Sequence, residues 1–318
     1  MSKFDFNQLW TGRVDQGESP ELSMRLHQWI KPLSDADSTG LAVLGFCSDE
    51  GVRRNQGRVG AALAPNQIRQ VLANLPWSSQ YPVYEAGNLV STYQDLESAQ
   101  LQLASQVTQL LSQGHFPLVL GGGHEVAYGS WRGLADYLAI DNPIPQIGII
   151  NFDAHFDLRT PIKGANSGTP FYQIAQTCQE QGWPFRYCCL GVSEMANTQA
   201  LFQRAKALNV SYRLDKQMSL LDLPEIKEQL QQFMAQCEHL YLTIDLDVLP
   251  ASVAPGVSAP AARGVNLEVL EPLIELIRTS QKLRLADLAE YNPNYDQDSQ
   301  TARVAARLFY SITGGSHE

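Results

Sequence analysis

Residues 146–159 read QIGIINFDAHFDLR, a short apolar run followed directly by three ionisable side chains. A short run of this kind, bounded by polar residues, is typical of a buried strand in a parallel sheet. Alternate side chains of an extended segment share one face, so Asp153, His155 and Asp157 are predicted to point together. Ionisable residues grouped in this way after a buried strand have no ready structural role, which indicates a metal site.

Similar apolar runs predict the rest of the sheet. They alternate with longer amphipathic segments from about residue 41 onward, as in a parallel sheet flanked by helices. The predicted strands are residues 41–46, 117–120, 146–152, 187–192, 240–244 and 283–289, and helical periodicity is clear in residues 103–111, 226–237 and 270–277. The fold class is therefore α/β, a three-layer α/β/α arrangement around a mostly parallel sheet. We expect one domain over residues 1–318, with residues 1–40 as a peripheral N-terminal segment.

Chemically unusual residues follow three more of these strands. The second strand leads into Gly121-Gly122-Gly123-His124-Glu125, the fifth into Asp245-Leu246-Asp247, and the last into Glu290. Because the carboxyl ends of parallel strands face the same side of a sheet, these clusters are predicted to meet in one crevice.

The residues that would meet there include two histidines and four aspartates, and these form the candidate ligand set. They are His124, Asp153, His155, Asp157, Asp245 and Asp247. Four neighbouring carboxylates need compensating positive charge, because like charges and burial both raise a carboxyl pKa. Two divalent cations would supply it. Oxygen donors with some imidazole and no thiolate favour manganese over a tetrahedral structural zinc.

Composition excludes several classes of partner. The chain has 23 Lys and Arg against 33 Asp and Glu, a net charge of −10, which argues against nucleic acid or an anionic membrane as the main partner. No apolar run approaches the length of a membrane helix, and no leader pattern opens the sequence. The five cysteines lack a CxxC pair and are expected to be reduced thiols. We therefore expect a cytoplasmic protein.

The motifs, in order, resemble those of the ureohydrolase (arginase/agmatinase) family. The match rests on residues 122–124, 153–157 and 245–247 and on Glu290, within a region of roughly residues 40–315. Residues 49–60 (DEGVRRNQGRVG), 167–171 (SGTPF) and 254–260 (APGVSAP) resemble the formimidoylglutamase branch of that family. The resemblance implies an arginase-like fold and a homo-oligomer. It also implies two Mn²⁺ ions and hydrolysis of N-formimidoyl-L-glutamate to L-glutamate and formamide, in histidine degradation, by a metal-bridging hydroxide.

The resemblance implies a small-molecule substrate, N-formimidoyl-L-glutamate, and this substrate gives further residues expected roles. Asp157 is predicted to carry the proton that the departing amine needs, and Glu290 to pair with the cationic formimidoyl group. Planar guanidinium groups match the two substrate carboxylates best. The candidate arginines are Arg53, Arg54, Arg58, Arg159 and Arg263.

The sequence also departs from the family pattern. Ser167 stands where arginases carry a histidine that shuttles protons, and residues 245–250 (DLDVLP) lack the usual third aspartate. Glu125 stands where relatives often have serine and receives no role. Two alternatives stay open, a guanidino-acid hydrolase that releases urea and a metal-binding scaffold without activity. A single-metal deacetylase of the related fold would need fewer carboxylates.

Overall fold

The computed structural model describes residues 4–19, 21–78, 81–90 and 95–314. Within these residues one sheet is built from β1 (Lys31–Pro32), β2 (Leu41–Cys47), β3 (Val83–Val90), β4 (Phe116–Leu120), β5 (Ile147–Phe152), β6 (Arg186–Val192), β7 (Ser211–Leu214), β8 (His239–Asp245) and β9 (Leu283–Ala289). Its order is β1-β3-β2-β4-β9-β8-β5-β6-β7, and every described pair of neighbours is parallel.

Helices cover both faces of this sheet. They are α1 (Phe6–Leu9), α2 (Leu26–Trp29), α3 (Glu50–Arg54), α4 (Ala64–Leu72), α5 (Leu96–Ser112), α6 (Val126–Leu138), α7 (Pro170–Gln181), α8 (Gln199–Ala207), α9 (Leu223–Ala235), α10 (Leu267–Thr279) and α11 (Gln300–Thr313). Successive strand residues enter opposite layers, so Leu118 and Leu120 pack in one apolar cluster and Val119 in the other. The first cluster includes α4, α9, α10 and α11, and the second includes α5, α6, α7 and α8. This confirms the predicted three-layer α/β/α class.

Each of the six predicted strands is present, with ends that differ by at most one residue from the expected bounds. Three strands were missed: β1, β3 and β7. The strand β3 reads VYEAGNLV, in which buried Glu85 interrupts the apolar run, and β7 is a short edge strand with no fully buried residue. Neither has the continuous apolar run that marks a strand buried on both faces.

The N-terminal segment does more than cover the surface. Its strand β1 pairs with β3 at the sheet edge. Leu26, Ile30 and Trp10 are buried and belong to the first apolar cluster. The segment is therefore anchored in the core at one end of the sheet. None of the helices in the described residues is long and apolar enough to cross a membrane.

Candidate metal centre

Four adjacent strands in the middle of the sheet, β4, β9, β8 and β5, position the candidate site. Their carboxyl ends lie side by side and lead into His124, Glu290, Asp245 and Asp153 respectively. Residues far apart in sequence are thus brought to one edge of the sheet by its topology.

The glycines after β4 permit a close approach that places His124. A Cβ atom on Gly122 would lie 1.8 Å from the carbonyl oxygen of Ser48, and the Gly123 N–H donates to that oxygen at 3.0 Å. A side chain at Gly122 would therefore push the turn away from the loop that follows β2. The turn ends one residue before α6 and directs His124 into the site.

The local geometry differs from the extended segments predicted from the sequence. The chain leaves β5 at Phe152 and bends at residues 154–155, and Asp157 has a left-handed φ of 47°. Asp247 likewise lies in a 3₁₀ turn over residues 246–248. Hydrogen bonds hold both turns, with the His155 N–H donating to Asp153 Oδ1 at 2.6 Å and the Asp247 N–H to Asp245 Oδ1 at 2.8 Å. The alternation argument was therefore wrong, although the side chains do converge.

Six side chains form two overlapping groups of donor atoms. In the first, Nδ1 of His124 lies 3.0 Å from Asp153 Oδ2, 3.0 Å from Asp157 Oδ2 and 3.3 Å from Asp245 Oδ2. In the second, Nδ1 of His155 lies 3.5 Å from Asp153 Oδ1 and 3.1 Å from Asp247 Oδ2. Asp153 belongs to both groups, with one oxygen toward each, and the donor atoms of each group lie within 4.8 Å of one another.

The donor set fits divalent cations. His124 Nδ1 is buried and has no hydrogen-bond partner among the described residues, despite three carboxylate oxygens at or within 3.3 Å. A nitrogen and several carboxylate oxygens grouped without a hydrogen bond to that nitrogen could serve as ligands of one ion. Manganese accepts such a mixture of oxygen and imidazole donors.

The electrostatics of the groups lead to the same conclusion. Burial lowers the pKa of His124, but the three surrounding carboxylates outweigh it and raise the pKa well above its ordinary value. Burial and neighbouring Asp153 raise the pKa of Asp157 to about 6. Burial and then Asp247 raise the pKa of Asp245 well above its usual range. The chain alone thus supplies too little positive charge for these carboxylates, which bound cations would provide.

A cavity of about 290 Å³ opens onto both groups. Its lining includes His155, Asp157, Asp245, Asp247 and Glu290. A larger groove of about 790 Å³ lies beside β7, α8 and α9, but none of the six candidate ligands lines it. We therefore take the smaller cavity as the candidate active site.

The structure separates the five candidate arginines. Arg58 and Arg159 line the cavity. Arg53 forms an ion pair with Glu50 at 2.5 Å, and Arg54 pairs with Glu50 at 3.0 Å and with Glu97 at 2.7 Å. These two arginines and Arg263 are not among the described residues that line the cavity.

The two cavity arginines differ in how they are held. The Arg58 guanidinium donates to the carbonyl oxygens of Ser258 and Val257 and lies 3.9 Å from the centre of the Tyr295 ring. The Arg159 guanidinium, by contrast, has no hydrogen bond or ion pair with the described residues. Ser167 also lines the cavity and accepts a hydrogen bond from Asn55 Nδ2 at 3.2 Å.

Sequence reasoning missed three buried polar residues beside the donor groups, namely Asn151, Thr243 and Asp287. Asn151 Nδ2 donates to Asp153 Oδ2 at 3.0 Å, and Thr243 Oγ1 lies 3.0 Å from His124 Nε2. Asp287 is the register partner of Thr243 in β9. A sequence signal was present, because each is a polar residue inside an otherwise apolar strand.

Glu125, which received no role from sequence, supports the turn that carries His124. Its Oε1 atom accepts from the Gly51 N–H at 2.8 Å and from Ser48 Oγ at 3.2 Å. Burial raises the pKa of Glu125 to about 7. This buried side chain therefore joins the loop after β2 to the start of α6.

The sequence of this chain is similar to those of known proteins. The model of the Arginase family matches residues 39–314. A formimidoylglutamase of Aeromonas salmonicida (strain A449) is 57% identical over 317 residues, which cover 98% of this chain and 100% of that protein. A formimidoylglutamase of Chromobacterium violaceum is 51% identical over 305 residues, covering 96% of this chain and 97% of that protein.

The chain is also similar to solved structures of formimidoylglutamases. Formimidoylglutamase from Bacillus subtilis subsp. subtilis str. 168 is similar with a TM-score of 0.81 and 25% identity, covering 96% of this chain and 94% of that one. Trypanosoma cruzi formiminoglutamase with Mn²⁺ is similar with a TM-score of 0.77 and 26% identity, covering 88% of this chain and 95% of that one.

Proposed function

This chain belongs to the arginase family, and we propose that it is a formimidoylglutamase that converts N-formimidoyl-L-glutamate and water to L-glutamate and formamide with two Mn²⁺ ions. The observation that carries the proposal is the cavity in which two donor groups joined by Asp153 meet Glu290 and two arginines. The near full-length similarity to formimidoylglutamases supports the choice of substrate.

Each donor group would hold one ion. His124, Asp157 and Asp245 would bind the first, His155 and Asp247 the second, and Asp153 both. Bound divalent ions lower the pKa of water enough to supply a nucleophile at neutral pH. Asn151 would fix the orientation of Asp153, because its amide donates to the oxygen that faces the first ion.

Asp157 and Glu290 would have different roles toward the substrate: Asp157 would transfer a proton, and Glu290 would bind the formimidoyl group. Asp157 lines the cavity, and its carboxylate would accept a proton and pass it to the departing amine. Glu290 also lines the cavity and offers a carboxylate to the cationic formimidoyl group. Such a charge-assisted contact would orient the carbon that is attacked.

The two cavity arginines would bind the substrate carboxylates. Arg159 is the stronger candidate, since its guanidinium has no partner among the described residues and its five N–H donors are available. Arg58 would contribute positive charge from a fixed position, because its guanidinium already donates to the carbonyls of Val257 and Ser258. A substrate without carboxylates would leave both cations uncompensated.

The proposal also includes a cytoplasmic location and assembly into a homo-oligomer. All five cysteines are unpaired and buried in the structure, as expected of a protein in a reducing compartment such as the cytoplasm. Assembly into a homo-oligomer stays a prediction, which light scattering on the purified protein would test.

The experiment reconstitutes the chain with Mn²⁺ and measures the products from N-formimidoyl-L-glutamate, guanidinobutyrate and arginine side by side. We expect formamide from the first and no urea from the others. Urea release as the main activity would replace the proposal with a guanidino-acid hydrolase, and no release from any substrate would favour a scaffold.

Metal content measured on the same protein provides the matched control. We expect two Mn²⁺ per chain in the wild type. Asp153→Asn should lose both ions because Asp153 belongs to both groups, whereas Asp247→Asn should keep the ion of the first group. Equal loss in both variants would contradict the assignment of two separate groups.

A further inference from the structure

We propose that Asn197 is a positioning residue of the metal centre, which holds the backbone on both sides of His155 and thereby places the His155 imidazole for the second ion. The inference rests on the proposed metal centre and adds a residue outside both donor groups. Asn197 lies in the loop between β6 and α8, is buried, and lines the cavity.

The backbone that carries His155 leaves the sheet, so its polar groups need partners other than a strand. Phe152 and Leu190 are the last register pair of β5 and β6, and the chain then bends at residues 154–155. Ala154 and Phe156, on either side of His155, are buried. Buried peptide groups are almost always hydrogen-bonded, so groups from a neighbouring segment must supply the partners here.

The Asn197 amide binds both peptide groups that flank the Cα atom of His155. Its Nδ2 donates to the Ala154 carbonyl at 2.9 Å, and its Oδ1 accepts from the Phe156 N–H at 3.0 Å. Nδ2 also donates to the Ser193 carbonyl at 2.8 Å. Because a carbonyl only accepts and an N–H only donates, these partners fix which end of the amide faces each peptide group. One side chain therefore restrains the His155 backbone from both sides.

His155 depends on this backbone support more than His124 does. The polar contacts of the His155 ring among the described residues are with Asp153 and Asp247, which are candidate ligands themselves. The His124 ring, by contrast, has Thr243 Oγ1 3.0 Å from its Nε2 atom, outside the donor groups. A partner outside the donor set orients a histidine ligand before the metal binds. For His155, we infer that the restrained backbone has this role.

A simpler explanation is that Asn197 only joins the loops that follow β5 and β6. Those loops are already joined without its side chain, because the Ser193 N–H donates to the Ala154 carbonyl at 2.9 Å. The bond that Asn197 adds is the one to the Phe156 N–H, on the other side of His155. The two explanations differ in which ion they affect: loosened loops would weaken both ions, whereas a misplaced His155 would weaken the second.

The first donor group has supports that do not involve Asn197. Its member Asp157 follows Phe156, whose carbonyl accepts a hydrogen bond from Tyr187 OH at 3.1 Å. The other members of that group follow the ends of β4, β5 and β8. We therefore expect the loss of Asn197 to spare the first ion.

The test measures the affinity for Mn²⁺ alone, by calorimetry on metal-free protein, with circular dichroism to verify folding. Asn197→Ala removes all three hydrogen bonds of the side chain. We expect about 10-fold to 100-fold weaker binding of the second ion, as for other residues that orient metal ligands. The first ion should bind within about twofold of wild type.

Asp247→Asn provides the background that isolates the first ion, because Asp247 belongs only to the second donor group. If Asn197 acts through His155, adding Asn197→Ala to this variant should change the affinity for the remaining ion by no more than about twofold. A further loss of about tenfold in the double variant would show that Asn197 supports the whole site and not His155 in particular.

Asn292→Ala is the matched control for general destabilisation. Asn292 is also buried, its Nδ2 donates to the carbonyls of Arg58 and Val59 at 2.8 and 3.2 Å, and its Oδ1 accepts from the Asn294 N–H at 3.1 Å. It therefore makes the same kinds of backbone hydrogen bond as Asn197, but none of these partners flanks a candidate ligand. Urea unfolding should show similar stability losses in the two alanine variants, whereas Asn292→Ala should keep wild-type affinity for both ions.

Asn197→Asp decides the question if Asn197→Ala fails to fold. A carboxylate can accept from the Phe156 N–H but cannot donate to the Ala154 carbonyl, and its added negative charge would by itself favour a cation. We expect the second ion to bind at least about tenfold more weakly, which would then come from the lost donation. Binding as tight as in wild type, or tighter, would overturn the proposal.

Three results with the alanine variants would also overturn it: wild-type affinity for the second ion in Asn197→Ala, equal weakening of both ions, or the same loss of affinity in Asn292→Ala. Wild-type protein that binds no Mn²⁺ would refute the metal centre itself, whereas unchanged binding in Asn197→Ala would refute only the role of Asn197.

Discussion

The carboxylate of Glu290 accepts a hydrogen bond from the backbone N–H of His124 at 2.8 Å, and the Glu290 N–H donates to the carbonyl of Gly122 at 2.8 Å. These two bonds join the end of β9 to the turn that carries a candidate metal ligand. Glu290 also has a left-handed φ of 66°, a conformation that costs about 1–3 kcal/mol for a residue other than glycine. The chain thus holds this carboxylate in one place, beside the two candidate donor groups and facing the cavity.

Glu290→Gln tests the proposed contact with the substrate cation. The amide keeps an oxygen that can accept from the His124 N–H but loses the negative charge. We expect kcat/KM to fall about 10-fold to 100-fold, the effect of losing one hydrogen bond to a charged group. Mn²⁺ affinity serves as the control and should stay near wild type. Unchanged kcat/KM with metal bound would remove Glu290 from substrate binding.

Arg159→Ala tests the carboxylate contact. Loss of a guanidinium that binds substrate should raise KM or lower kcat/KM at least about tenfold while leaving bound Mn²⁺ intact. Arg263→Ala is the matched control, because Arg263 is an exposed arginine that does not line the cavity, and its kinetics should be unchanged. If both variants behave like wild type and Arg58→Ala does too, the arginines of the cavity do not bind the carboxylates.

The sequence predicts which residues meet at the site but not the local backbone geometry that orients them. The six candidate ligands follow strand ends, and because parallel strands share a direction, topology alone brings them together. The bend after Phe152 and the 3₁₀ turn after Asp245 were not predictable, since they depend on hydrogen bonds formed only in the folded chain. Arg54 shows a further limit: its position depends on Glu97, which lies 43 residues away in sequence.

The sequence likewise predicts some strands of the fold and not others. The strands buried on both faces have continuous apolar runs, so each was predicted to within one residue. The strand β3 was missed because Glu85 lies inside it, and that carboxylate is buried only because Arg69 of α4 reaches it. A partner contributed by a distant helix has no signature in the local sequence.

That buried pair allows a stability prediction. Arg69 Nε and Nη2 donate to the two oxygens of Glu85 at 2.7 and 2.8 Å, and Trp10 Nε1 donates to the same carboxylate at 2.8 Å. Glu85→Gln leaves the buried guanidinium without its counter-charge and should lower the free energy of unfolding by about 3–5 kcal/mol. It should also loosen the N-terminal segment held by Trp10.

Asp136→Asn is the control for that prediction. The Arg132–Asp136 pair has the i,i+4 spacing of one helix, with side chains 31% and 39% exposed, so its loss should cost only about 0–1 kcal/mol. Urea unfolding followed by tryptophan fluorescence measures both variants. Equal stability losses would contradict the view that burial decides the effect.

Because the thiols are buried, we expect the free energy of unfolding to fall in alkaline solution. Burial raises the pKa of Cys178 and Cys188 to about 12 and of Cys47 and Cys237 to about 11, from an ordinary value of 9.0. Above that ordinary value the unfolded thiols lose protons while the folded ones keep them, so stability falls as pH rises. Each thiol should contribute a loss of about 1.4 kcal/mol per pH unit until its folded pKa is reached.

Urea unfolding of wild type and Cys178→Ala between about pH 8 and about pH 10 isolates one thiol, and the variant should lose less stability over that range. Parallel curves for the two proteins would mean that the Cys178 thiol ionises in the folded state as readily as in the unfolded chain.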